Sequence, residues 1–132
     1  MALTRFSSTV LSSGATSAGG SLTTAEKDLG NNTKVAALHV FTTITTTGLG
    51  ATPEGNDSIV VSLIPRAATT GANATPGAAW SARHPVSSRG PYVFHDVFRD
   101  VPRFVLVRVQ NATKVASVTA GITVAVECIK ET

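Results

Sequence analysis

The chain is 132 residues long, which suits one domain that can bury a core without disulfides or metal. Charged residues make up only 14% of it, against roughly 25% in an average soluble domain, and about a quarter of the residues are Ser or Thr. The net charge of +3 comes from basic residues spread along the whole chain, which argues against specific nucleic-acid binding. The single cysteine, Cys128, excludes an internal disulfide and therefore a disulfide-rich secreted scaffold.

The amino-terminal residues carry no targeting signal. Residues 1–6 are not followed by a long apolar run, so we expect neither a signal peptide nor a membrane-spanning segment. The protein is therefore expected to be made in a cytoplasm and to remain soluble there. Length and composition predict one domain over residues 1–132, with residues 1–12 forming an extended N-terminal arm.

Apolar residues alternate with a period of two in several segments, which is typical of β-strands. Segment 34–46 is apolar on both faces at its start, which predicts a central, well-covered strand. Pro65 is expected to end the second strong strand or to place it at an edge. In the final segment the predicted core face holds Val118, Ala120, Ile122, Val124, Val126 and Cys128. The predicted strands are 5–11, 21–29, 34–46, 57–65, 92–98, 103–110 and 115–129.

This pattern predicts an all-β fold, either a single antiparallel β-sandwich or a small jelly roll of about 6–8 strands. The longest irregular piece is a loop at 66–91, which contains Trp80, Arg83, His84 and Arg89. Loops this long in compact domains are usually functional or disordered, so we expect partner contact here. Trp80 also has a second interpretation, as a plug over one end of the sandwich.

No segment matches a catalytic, nucleotide-binding or metal-binding motif. His95 and Asp96 are neighbours in a predicted strand, so their side chains should point to opposite faces and cannot share a site. His39 is expected to be a partly buried, hydrogen-bonded sheet residue, His84 an exposed loop residue and Cys128 a buried thiol. We therefore expect a protein that is not an enzyme, with no catalytic residue, cofactor or metal.

The order of these segments resembles a known class of proteins. A Gly/Ser/Thr-rich N-terminal strand pair precedes an apolar strand that ends in threonines at 35–47. The sequence Asp-Ser-Ile-Val-Val-Ser-Leu-Ile follows from Asp57, then a loop of small residues, then Phe-Val-Leu-Val-Arg-Val-Gln-Asn-Ala-Thr from Phe104 and a long final strand. Over most of residues 20–129 the chain resembles the small β-sandwich virion proteins of tailed bacteriophages.

The resemblance implies a non-enzymatic capsid decoration (cement) protein in the virion, which binds junctions between major capsid subunits and stabilises the shell. The partners would be the major capsid protein or other virion proteins, and self-association as a dimer or trimer is expected because symmetric sites favour symmetric binders. A neck or tail accessory protein that forms a ring is the alternative, and a carbohydrate-binding module using Trp80 and Tyr92 is an alternative of another class. The residues expected to contact partners are Leu3, Arg5, Phe6, Trp80, Arg83 and Arg89.

Overall fold

The computed structural model describes residues 3–11, 20–24, 27–29, 34–44, 57–66, 80–88, 90–113 and 122–131. Within these ranges the chain forms nine strands and no α-helix, which confirms the all-β prediction. The strands are β1 (Leu3–Leu11), β2 (Ser21–Thr23), β3 (Lys27–Asp28), β4 (Lys34–Ile44), β5 (Ser58–Arg66), β6 (Ser81–Pro85), β7 (Tyr92–Phe98), β8 (Phe104–Ala112) and β9 (Ile122–Glu131).

The strands form two antiparallel sheets. The front sheet has the order β1-β9-β4-β7, and the back sheet has the order β2-β8-β5-β6, with β3 also paired to β8. The antiparallel pairs are nested along the chain: β1 with β9, β2 and β3 with β8, β4 with β7, and β5 with β6. This is the strand order of a jelly roll, in which one long hairpin is wrapped into two facing sheets.

Strands β2 and β3 form one edge strand with an interruption. Both pair with β8, and Thr24 lies just after β2 at the break. There the backbone amide of Thr24 donates to the Val107 carbonyl at 2.9 Å, and the Val107 amide donates to the Thr24 hydroxyl at 3.0 Å. The threonine side chain thus accepts a hydrogen bond that a regular strand would accept with its backbone. If β2 and β3 are counted as one strand, the sandwich has eight strands, which is within the predicted range.

The core lies between the two sheets and is built from alternate residues of their strands. In β9 the side chains of Ile122, Val124, Val126 and Cys128 are buried, as the sequence pattern predicts. Val118 and Ala120, which belong to the same predicted face, lie outside the described residues. The largest fully buried side chains are Leu38, Ile44, Ile59, Leu63, Ile122, Val40, Val61, Val105, Val107 and Val109.

Two segments expected to be irregular contain strands. Residues 3–11 of the expected arm form β1, which pairs along its length with β9, from Leu3 opposite Glu131 to Leu11 opposite Val124, so the strand predicted at 5–11 is present. The segment 66–91 is not one long loop, because it contains β6, which pairs with Ser58–Ser62 of β5. The β6 sequence Ser-Ala-Arg-His-Pro has no apolar alternation, so the period-two criterion could not detect it.

Pro65 does not end β5, which continues to Arg66. At this end β5 pairs with β8 alone, because its pairing with β6 stops at Ser62. Beyond Ser62 one edge of β5 therefore has no neighbour among the described strands. Proline is tolerated at such a position, since its missing N–H removes no hydrogen bond on the paired side.

Candidate functional site

The two sheets differ in how their outer faces are covered. In the back sheet, outward-pointing side chains of β5 and β8 are nevertheless buried, with Ser62 at 1% and Leu106 at 7% exposure. In the front sheet, Val93 is 68% exposed and Val97 is 42% exposed, and these are the exposed large hydrophobic residues of the described chain. The front sheet therefore presents the accessible face. We call its outer side chains on β4, β7 and β9 the front face: His39, Phe41, Thr43, Val93, His95, Val97, Thr123, Ala125, Glu127 and Ile129.

Strand register places an aromatic cluster in the middle of the front face. His95 on β7 lies opposite Phe41 on β4, and Val97 lies opposite His39. The Phe41 and His95 rings stack with centroids 4.4 Å apart and an angle of 10° between their planes. His39 Nδ1 lies 2.7 Å from His95 Nε2, so one of the two imidazoles donates a hydrogen bond to the other. The valines at positions 93 and 97 flank this cluster on the outermost strand.

Fixed charge is sparse on this face. Among its described residues, Glu127 is the one carboxylate, and it lies opposite His39 on the neighbouring strand β9. The other members are aliphatic, aromatic or hydroxyl-bearing side chains and the two histidines. Such a surface loses little polar hydration when another surface covers it, because few charges must be desolvated.

The inner side of β7 is anchored to the back sheet. Asp96 is buried, at 8% exposure, and its Oδ2 lies 2.9 Å from Nε2 of His84 on β6. The His84 ring also stacks on Phe94, with centroids 4.3 Å apart. The expectation of an exposed loop histidine is therefore wrong for His84. As predicted, Asp96 and His95 point to opposite sides of the strand, Asp96 inward and His95 outward.

The turn before β7 is also fixed by side-chain hydrogen bonds. The Tyr92 hydroxyl accepts bonds from the amides of Ser87 and Ser88 at 3.2 and 3.0 Å and donates to the Ser88 carbonyl at 2.8 Å. Gly90 has a φ of 102°, a conformation that residues with a Cβ rarely adopt. A Cβ there would also lie 3.1 Å from the Tyr92 ring. Strand β7, at the edge of the front face, is thus fixed at its beginning by the Tyr92 hydrogen bonds and along its inner side by the contact between Asp96 and His84.

The predicted contact residues do not form one surface. Trp80 directly precedes β6, packs against the core and donates from its indole nitrogen to the Arg99 carbonyl at 3.0 Å, which favours the plug interpretation. Arg83 lies in β6, on the back sheet, where its guanidinium donates to the Ser58 hydroxyl. Arg89 lies outside the described residues.

The remaining predicted residues are in the front sheet. Leu3, Arg5 and Phe6 belong to β1, the edge strand on the side of the sheet opposite β7. The register places Arg5 opposite Ile129 of the front face, but Phe6 opposite Cys128, which is buried in the core. A contact that covers the front face could therefore extend to position 5 of this strand, and partner contact by Leu3, Arg5 and Phe6 stays a prediction.

Sequence reasoning missed the front-face cluster. Phe41 belongs to the segment predicted to be well covered, but it lies half-exposed on the outer face. The signal was present in β7: with Phe94 and Phe98 facing inward, strand alternation requires Val93 and Val97 to face outward. Two exposed valines on one strand are unusual enough to mark an interaction surface when they adjoin further apolar groups.

Cys128 offers no reactive group on either face. It is buried, and burial raises the pKa of its thiol, so the nucleophilic thiolate is disfavoured. In the described part of the chain, no three or more His, Cys, Asp or Glu side chains are grouped so as to hold a metal ion. Nor do the described residues include a helix long and apolar enough to cross a membrane.

Comparison with known proteins adds little to this description. No protein-family model matches the chain, and no curated protein matches it. A similar solved structure comes from work on Bacillus endospore appendages, described there as a novel family of disulfide-linked pili. The two chains are 11% identical, the match covers 100% of this chain and 93% of the other, and the TM-score is 0.41. No conclusion about function follows from similarity at this level.

Proposed function

We propose that this protein is a non-enzymatic structural protein of a tailed-bacteriophage particle, specifically a capsid decoration protein that binds junctions between major capsid subunits and stabilises the shell. The observation that carries the proposal is the front face, an accessible sheet surface with exposed valines and little fixed charge. A solvated sheet face normally carries more charge than this, whereas a face designed to be covered does not.

The jelly-roll strand order is compatible with the same function. This architecture occurs in viral capsid proteins and also in lectins, so it is compatible with the proposal without selecting it. The front sheet is a platform of four strands. Strands β4 and β7 carry the aromatic cluster, and the register of the edge strand β1 places Arg5 opposite Ile129 of the front face.

A neck or tail accessory protein that forms a ring is the second candidate. The same accessible face supports it, because ring subunits must also cover a surface with a neighbour. Copy number separates the two, since decoration requires hundreds of copies per particle and a ring about a dozen. A carbohydrate-binding module is less well supported, because Trp80 and Tyr92 are half-buried and engaged in hydrogen bonds instead of forming an open aromatic platform.

The test is binding to empty shells assembled from the major capsid protein that the same genome encodes. We expect the purified protein to bind saturably, at several hundred copies per shell, and to raise the temperature at which the shells disrupt. The variant Val93→Lys/Val97→Lys should bind at least tenfold more weakly, because burying a valine contributes roughly 1.5 kcal/mol and a lysine there must also be desolvated.

The matched control is Ser21→Lys/Thr23→Lys, which introduces the same two charges at exposed positions of β2 in the back sheet. It should bind like the unmodified protein. Saturation at about a dozen copies would favour the ring, and absence of binding to shells would refute the decoration proposal. If Ser21→Lys/Thr23→Lys weakens binding as much as the valine variant, then the front face is not the contact surface.

A further inference from the structure

Two of the three histidines of the chain lie side by side on the front face, with one ring nitrogen of each close to the other. His39 Nδ1 and His95 Nε2 are 2.7 Å apart, and the ring centroids are 5.0 Å apart. The distance between the centroids is close to the nitrogen–nitrogen distance plus the radii of the two rings. The two nitrogens therefore lie on the line between the rings and point toward each other. Both rings are on neighbouring, hydrogen-bonded strands, and His95 is exposed to solvent.

We propose that His39 and His95 together bind one divalent late transition-metal ion, such as Ni²⁺, Cu²⁺ or Zn²⁺, at the front face. Neutral imidazole is the side chain that these ions most commonly bind, and two imidazoles on rigid strands form a chelate. Water or a group from a covering surface would complete the coordination sphere. This inference does not depend on a role in a phage particle.

The two nitrogens already lie close enough to share an ion, but both rings must turn. Metal–nitrogen bonds of about 2.0–2.1 Å place two ligand nitrogens about 2.9 Å apart at a right angle and about 3.4 Å apart in a tetrahedron. The nitrogens of His39 and His95 must therefore separate by a few tenths of an ångström, and the rings must turn so that both lone pairs meet at the ion. The exposed His95 ring can turn, while its stacking partner Phe41 keeps it beside His39.

The proton of the shared hydrogen bond is accounted for without a co-reactant. In the neutral pair, one imidazole carries its proton on the facing nitrogen and donates it to the other ring. On metal binding this ring takes the other tautomer, with its proton on the nitrogen that faces away from the ion. Each ring keeps one proton, and the two freed lone pairs become ligands.

The experiment is calorimetric titration of the untagged protein with NiCl₂ at pH 7.5 in a buffer that does not bind metal. We expect saturable binding of one ion per chain, or of one ion per two chains if two copies share it. His39→Gln and His95→Gln should each weaken binding by on the order of a hundredfold, because either change removes the chelate and its high effective concentration. The matched control is His84→Gln, which removes the third histidine and leaves a group able to donate to Asp96.

A second measurement identifies the ligands directly. With one equivalent of Cu²⁺, the electron paramagnetic resonance spectrum should show coupling to two equatorial nitrogens, reduced to one in His95→Gln. The proposal is overturned if Ni²⁺ does not bind saturably, or if the His39 and His95 variants bind it as well as the unmodified protein. Equal loss of binding in His84→Gln would also overturn it, because that result would indicate dispersed binding at any histidine.

Discussion

One buried hydroxyl group in the front sheet is expected to destabilise the fold, so removing it should raise the free energy of unfolding. Thr42 is fully buried on the inner face of β4, opposite Val124 and Phe94, and its hydroxyl oxygen has no hydrogen-bond partner among the described residues. An unsatisfied buried hydroxyl costs about 1–3 kcal/mol. Thr42→Val replaces this hydroxyl by a methyl group of similar size. We therefore expect the free energy of unfolding to rise by about 1–2 kcal/mol.

The matched control is the same substitution at Thr24. This hydroxyl is also buried, but it accepts the hydrogen bond of the Val107 amide at 3.0 Å, in the break between β2 and β3. Thr24→Val leaves that amide donor buried without its acceptor, which should lower the free energy of unfolding by about 1–3 kcal/mol. Thus the same chemical change is expected to have opposite effects at two buried positions.

Urea unfolding followed by circular dichroism and by Trp80 fluorescence measures both effects, and coincident transitions would establish two-state behaviour. In a thermal scan, each kcal/mol should move the midpoint by roughly 4 °C for a domain of this size. The reasoning would be refuted if Thr42→Val were destabilising, since its hydroxyl would then have a partner. It would equally be refuted if Thr24→Val left stability unchanged.

Three further predictions concern the fold. Val124→Asp places an unpaired carboxylate in the core and should prevent folding, and a soluble variant with a cooperative melting transition would contradict the face assignment of β9. Cys128 should react with a thiol reagent at pH 8 much more slowly in the folded protein than in urea, because burial raises its pKa and blocks access, and equal rates would contradict its burial. Deleting residues 1–8 should lower the melting temperature, because it removes most of β1 from its pairing with β9, whereas an unchanged temperature would return those residues to the role of a free arm.

Much of the fold was predictable because its strands alternate strongly. The alternation over 34–46, 57–65 and 103–110 marks the central strands β4, β5 and β8, since burial of one or both faces requires apolar side chains at regular spacing. The edge strand β6 was not predictable, because at the rim of a sheet only His84 and Ala82 point inward and neither is strongly apolar. Strand β1 was partly predictable, because the sequence indicates a strand at 5–11 within the segment also expected to be an arm.

The candidate site was less predictable. When both sides of a strand carry apolar residues, the sequence pattern does not indicate which side contacts water. In β7 the inward residues include Asp96, and the outward residues include Val93 and Val97, so hydrophobicity alone favours neither orientation. The outcome depends on His84, which comes from the other sheet and satisfies the buried carboxylate. That contact joins strands of different sheets, and a period-two pattern contains no information about it.

The nested pairing of the strands determines when the front face can form during synthesis. The front sheet places β9 between β1 and β4, so two of its three strand pairs require residues 122–131. Until the ribosome has released that segment, β1 has no described strand beside it, and Phe41 lacks its neighbour Ala125. Folding that depends on such distant pairings is slow compared with local folding. The front face therefore forms only after residues 122–131 have been synthesised, which keeps shorter nascent chains out of any assembly that uses this face.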